Sequence, residues 1–188
     1  MIERKEVLRY LRASSGTDDP ELLRLIDEAT KRSYSEIKPK SIYEIFDCSQ
    51  STDEVKIGSF IFKSRRFAEN MNGCKKAVVF AVTLGTESDR LLRNAAAQGA
   101  SALAVYQAVL AAITEEECDK LEAHIKKTHG VKLRKRYSAG YFDLGIENQK
   151  KVFEMMDITK RIGITLTDTL LMIPSKSVTA FAGIENED

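Results

Sequence analysis

The run KKAVVFAVTLG at residues 75–85 constrains the fold more than any other stretch of this chain. It is continuously apolar from Ala77 to Val82 and ends at a glycine, so it reads as a fully buried strand rather than a one-sided one. A chain of 188 residues is long enough to build the core such a strand requires without disulfides. The rest of the sequence says what surrounds it.

Upstream, residues 3–12 read as a short amphipathic helix. In SSGTDDPELL, Asp19 is placed to cap free backbone amides and Pro20 to open a second helix, which runs to about Glu36 and is stopped by Pro39. Residues 42–62 turn to β-type sequence, two or three short strands with a hairpin at Gly58 and Ser59. Ser64 opens a short helix that Gly73 closes. After the buried strand, Thr86 and Asp89 resemble a capping box. The helix they open ends near Gly99, and a longer one follows from Ala100 to about Thr128, with Gly130 as terminator. Val131 and Leu133 alternate with Lys132, Arg134 and Arg136, the period of a strand, which places Arg136 on the face opposite Val131 and Leu133. Residues 146–156 are helical, with Val152, Phe153, Met155 and Met156 as the buried stripe. The C-terminal part is β-rich, with a turn or short helix around residues 167–171. Strands cluster, then helices, then strands again. This order predicts one α+β domain over residues 1–188 with a largely antiparallel or mixed sheet.

Composition narrows the functional classes. With 29 Lys+Arg against 28 Asp+Glu the formal charge is +1, which argues against a dedicated nucleic-acid binder. The longest apolar-rich run, residues 95–113, contains Gln98, Ser101 and Gln107 and is too polar for a membrane span. The charged opening MIERKEVLRYLR has no apolar signal core, so a cytoplasmic location is expected. Cys48, Cys74 and Cys118 form no C-x-x-C pair and read as small packing residues in a reducing compartment. His124 and His129 lack the spacing of a helical metal site and read as solvated helix-end side chains. Neither a G-x-x-x-x-G-K-[ST] loop nor a G-x-G-x-x-G turn is present. The TLGTES turn offers amides to an anion, as many plain turns do.

Chemistry concentrates in RYSAGY, residues 136–141. An arginine fork can hold a carboxylate through two parallel hydrogen bonds. Ser138, Ala139 and Gly140 keep bulk away from the backbone, and Tyr141 adds an aromatic edge and a hydroxyl. These groups suit a ligand with an amino-acid end and a flat ring; equally, they make a strand, a turn and a helix with a cation at the entry. On the preceding long helix, Glu115, Glu116 and Glu117 with Asp119 and Glu122 form an acidic run. Such a run is ordinarily a solvated face, with one of the three glutamates available to turn inward.

RYSAGY fits an R-x-x-x-G-Y signature and so resembles the activation domain of cobalamin-dependent methionine synthase. GITLTDTLLMIPSKSVTAFAG is similar to that family's closing segment. Gly163, Leu166, Thr167, Met172, Pro174, Ser177 and Val178 keep its pattern, while Asp168 and Thr169 replace the usual Glu and Ser. TLGTESDRLLR and AAITEEECD are similar to free-standing short forms of the domain, so the resemblance spans roughly residues 78–183. It implies a curved, mainly antiparallel sheet packed with helices and a site for S-adenosylmethionine. Arg136 would hold the ligand's carboxylate, Ala139, Gly140 and Tyr141 would contact the rest, and one of Glu115, Glu116 or Glu117 would face its ammonium or sulfonium.

The resemblance also implies a role. Cobalamin oxidised out of its Co(I) state is restored by an electron from a flavodoxin-like donor and a methyl group from S-adenosylmethionine, which the domain positions rather than activates. No D-x-H-x-x-G cobalamin motif occurs here, so the cobalamin is expected on a separate methionine synthase core chain, with no catalytic residue on this one. Lys126, Lys127, Lys132, Arg134, Lys135 and Arg136 would form a docking surface for the acidic electron donor, or simply a solvated face. The competing reading is a non-catalytic small-ligand-binding or scaffold subunit of a corrinoid methyltransferase complex.

Overall fold

A computed structural model describes residues 1–14 and 16–185. The apolar run forms β4 (Lys76–Thr83), and Ala77 through Val82 are all fully buried. On one side it pairs with the long strand β1 (Lys40–Gln50), on the other with β7 (Ser177–Ile184). β1 continues to β2 (Glu54–Ile57) and β2 to β3 (Phe60–Lys63), giving a five-stranded sheet of order β3-β2-β1-β4-β7 in which every pair is antiparallel. The β2–β3 connection is the two-residue turn Gly58-Ser59, where Gly58 takes φ +56°. The curled antiparallel sheet packed with helices is the architecture the sequence predicts.

Alternate residues of β4 supply two cores. Ala77, Val79 and Ala81 pack with Phe62, Phe67, Val152, Met156 and Phe181 on one face. Val78, Phe80 and Val82 pack on the other with Cys118, Leu121 and Ile125 of α5 (Ala100–His129). The first half of α5 lies beyond the sheet in a third cluster with α1 (Arg4–Leu11), α2 (Pro20–Glu36) and α4 (Thr86–Gln98). One helix of 30 residues thus ties the N-terminal helices to the sheet. Asp19 caps α2 through the Glu21 and Leu22 amides, and Ser64 caps α3 (Arg65–Asn70) through Phe67. All three cysteines are buried, and burial pushes the Cys118 thiol up to about 12. His124 and His129 are exposed, with the Tyr43 ring against both.

Two local expectations are corrected. Thr86 does not cap α4; Gly85 precedes it with no side-chain cap, and Asp89 instead accepts hydrogen bonds from the Ser175 amide and hydroxyl. Residues 131–138 form no regular strand. They lie along the free edge of β7 with two isolated bridges, Leu133 to Ile184 and Tyr137 to Phe181. Four residues on one side match three on the other, so one residue is bulged and the alternation reverses. Arg136 therefore shares the α5-facing side with Leu133 rather than opposing it. A short helix, α7 (Ile158–Ile162), follows α6 (Gln149–Met156) in a stretch to which the sequence reading assigns no element. It precedes the small hairpin of β5 (Thr165–Leu166) and β6 (Met172–Ile173).

Candidate functional site

The bulge delivers Arg136 to the side of α5. Its Nη2 lies 2.5 Å from Glu115, and its Nη1 is 2.7 Å from both Asp119 and Glu122. Burial works against the guanidinium's charge, but the bonds from Glu122, Asp119 and Glu115 together outweigh it and raise its pKa. Asp119 and Glu122 share Nη1, while Glu115 stands alone on Nη2. Lys126 also reaches Glu122 at 3.8 Å, so two cations stand among three carboxylates and the cluster stays net acidic.

After Arg136 the chain turns. Tyr137 exchanges backbone bonds with Phe181 and stacks on Phe67 at 5.1 Å, pinning the backbone to the sheet edge. Gly140 adopts φ +89° and donates to the Leu144 carbonyl at 2.7 Å, closing a loop whose Leu144 is fully buried. Asp143 anchors the loop to α3, accepting from the Ser64 hydroxyl and the Arg66 amide. That hydroxyl bond is the main reason the Asp143 carboxyl titrates below its usual range. The Tyr141 and Phe142 rings are left 62% and 73% exposed, beside a 3-10 turn at Ile146–Asn148.

Between this loop and the β5–β6 hairpin opens a cavity of about 700 Å³, a size ordinary for small-ligand sites. Arg136, Ala139, Tyr141 and Glu115 line it. Gly140 is not in its wall; it shapes the turn. Glu116 and Glu117 point elsewhere. Glu116 accepts from Tyr34 at 2.6 Å and pairs with Lys120 and the Met1 ammonium; burial raises its pKa, but these bonds prevail and take it to about 2. Glu117 pairs with Lys120 at 2.8 Å. Of the three neighbouring glutamates, then, Glu115 alone reaches the cavity.

Other walls come from residues that sequence reasoning did not single out as site residues. Leu170, Leu171, Met172 and Ile173 form the hairpin side, and Gln149 and Thr179 join it in the lining, Gln149 donating to the Met172 sulfur at 3.3 Å. Gln149 and Thr179 are buried polar residues, 2% and 3% exposed, in positions where the core otherwise holds apolar side chains. Thr179 lies inside the closing segment, two residues from Ser177, and the strand period that puts Phe181 inward also puts Thr179 inward. That was the available signal. In the TLGTES turn the Leu84, Gly85 and Ser88 amides bond to Lys176, Thr83 and Gly85 within the fold. The basic cluster is also smaller than the sequence implies. Arg136 is held by α5 and Arg134 by the Asn70 carbonyl at 2.8 Å, leaving Lys126, Lys127, Lys132 and Lys135 exposed. Among the described residues, no helix is long and apolar enough to cross a membrane.

The fold defines the class first. A solved structure described as the crystal structure of the MetH reactivation domain bound to AdoHcy superposes with a TM-score of 0.68 at 16% identity, covering 93% of this chain and 68% of that one. At that identity the likeness shows a shared fold. A search among curated proteins finds no match. The sequence itself then supplies the family: the model described as Vitamin B12 dependent methionine synthase, activation domain, matches residues 67–187, and the chain belongs to that family.

Proposed function

We propose that this chain is the S-adenosylmethionine-binding reactivation module of a split cobalamin-dependent methionine synthase. Residues 1–188 act as one unit, in the cytoplasm, with a cobalamin-bearing core chain and a flavodoxin-like electron donor as partners. The observation that carries the reading is the pairing of Arg136 with Glu115 in the wall of one apolar cavity. The solved domain of the same fold is described as bound to AdoHcy, the demethylated form of that ligand.

The residues fit a sulfonium amino-acid ligand. Arg136 offers a fork for the carboxylate, and Glu115, 44% exposed on its side chain, is free to swing from Nη2 when a ligand carboxylate takes its place. Released, it faces the ligand's ammonium or sulfonium. Asp119 and Glu122 keep the guanidinium aimed through the exchange. The Ala139 backbone and Tyr141 flank the ligand's length, and Gly140 sets the turn that brings them there. When bound, S-adenosylmethionine supplies a methyl cation equivalent to cobalamin reduced by one electron on the partner chain. This chain's contribution is positioning. The exposed rings of Tyr141 and Phe142, with Leu171 at 65% and Ile173 at 48% exposure, form an apolar rim suited to an apposed partner.

The test supplies this chain, a cobalamin-bearing synthase core, a reductant and S-adenosylmethionine, and follows methylcobalamin by its absorption spectrum. Formation that depends on this chain supports the proposal. Ligand binding without any stimulation would favour the non-catalytic binding or scaffold role.

A further inference from the structure

The inward wall of the cavity carries a polar pair that the carboxylate chemistry at Arg136 does not use. Gln149 Nε2 donates to Thr179 Oγ1 at 2.7 Å and to the Met172 Sδ at 3.3 Å, and Thr179 Oγ1 donates back to Gln149 Oε1 at 3.1 Å. All three residues line the cavity. One hydroxyl set against both ends of an amide cannot make two straight bonds, and a thioether is a weak acceptor. The buried amide therefore keeps acceptor capacity at Oε1, and its N–H on the Met172 sulfur is held weakly enough for a better acceptor in the cavity to take it. Its orientation is defined, because the Met172 sulfur accepts a hydrogen bond from the amide N–H and would repel a carbonyl oxygen placed there.

The adjoining backbone is open as well. Phe181 directs its N–H and C=O to Tyr137, so alternate residues of β7 face outward while Ala180 and Ala182 face β4. Residues 131–138 leave that edge at Ser138, and no described strand pairs with it over residues 177–180. A flat group can lie against the edge beside Gln149, between Ile146 and the hairpin residues Leu170 and Met172.

A side-chain amide of fixed orientation matches a planar edge that presents a donor beside an acceptor, as adenine does with its amino group and a neighbouring ring nitrogen. We propose that Gln149, oriented by Met172 and Thr179, reads the donor–acceptor edge of an adenine ring and makes this cavity selective for adenosyl ligands. Hypoxanthine replaces the amino donor with a carbonyl and would set two oxygens against each other. The proposal rests on the S-adenosylmethionine reading above and adds the residue that selects the base.

Calorimetry with S-adenosylhomocysteine and S-inosylhomocysteine tests it on the intact chain. Wild type should prefer the adenosyl compound by about tenfold, the scale of one mismatched buried hydrogen bond. Gln149→Leu should lower the adenosyl affinity and bring the ratio close to one, with thermal melting confirming the fold. Should that variant not fold, Met172→Leu, a volume-conserving change that frees the amide to turn, should shrink the ratio instead. A folded variant that keeps the wild-type ratio, or a wild type that binds both equally, overturns the base-reading role alone. A wild type that binds neither compound overturns the S-adenosylmethionine reading beneath it.

Discussion

Glu115, Glu116 and Glu117 are chemically identical and adjacent, yet α5 sends them to different places. Successive residues are about 100° apart around a helix, so consecutive side chains cannot share one target. Glu115 meets Arg136 and the cavity, whereas Glu116 is drawn to Tyr34 and Lys120 near the N-terminal helices. Glu116 consequently has a structural role that can be measured. Its folded pKa of about 2 lies below the ordinary 4.5, so its contribution is complete above pH 4.5 and lost as pH falls toward 2. Glu116→Gln should cost roughly 2 kcal/mol at pH 7, the scale of charged hydrogen bonds on a largely buried carboxylate. In denaturant titrations the gap between variant and wild type should close below pH 4.5. A gap that stays constant down to pH 2 would contradict that assignment. Sequence spacing could not choose among the three glutamates, because the choice depends on where Tyr34 and Arg136 arrive from distant segments.

At the scale of elements, legibility followed locality. β4, the Asp19 and Ser64 caps, the Gly58-Ser59 hairpin and the Gly130 terminus were all readable, since each is determined within a few residues. The segment 131–138 was not, because alternation predicts a regular strand and a bulge is decided by the partner edge. Asp89 was misassigned for the same reason: its true partner, Ser175, lies 86 residues away. The close approach of β7 to the end of α3 is another long-range effect. A Cβ on Gly183 would fall 2.6 Å from the Cys74 sulfur and 3.2 Å from that of Met71, both buried. Gly183→Ala should therefore destabilise by about 2 kcal/mol through overpacking, measured by urea unfolding. A variant as stable as wild type would show that Cys74 and Met71 can move aside freely.

For the molecule as a whole, the sheet sets the stage and α5 connects its parts. The antiparallel order predicted from clustered strands and helices is present, and the two motifs that carried the family resemblance, RYSAGY and the closing segment, meet in the lining of one cavity. Their order along the chain was legible; that Gln149 and Thr179 would share the inward wall, and that Arg136 would stand among three carboxylates, was not. Both follow from the tertiary placement of α5 and α6 against the edge of β7. Under the proposed function, this cavity takes S-adenosylmethionine by exchanging Glu115 for the ligand's carboxylate on Arg136. Calorimetric titration of wild type and Arg136→Lys tests it most directly, with melting curves to confirm that the variant is folded. Lysine keeps the charge and loses the fork. Wild type should bind saturably and the variant about tenfold more weakly, the loss expected for one charged hydrogen bond. No binding to wild type at millimolar ligand, or equal affinity in the two proteins, would contradict it.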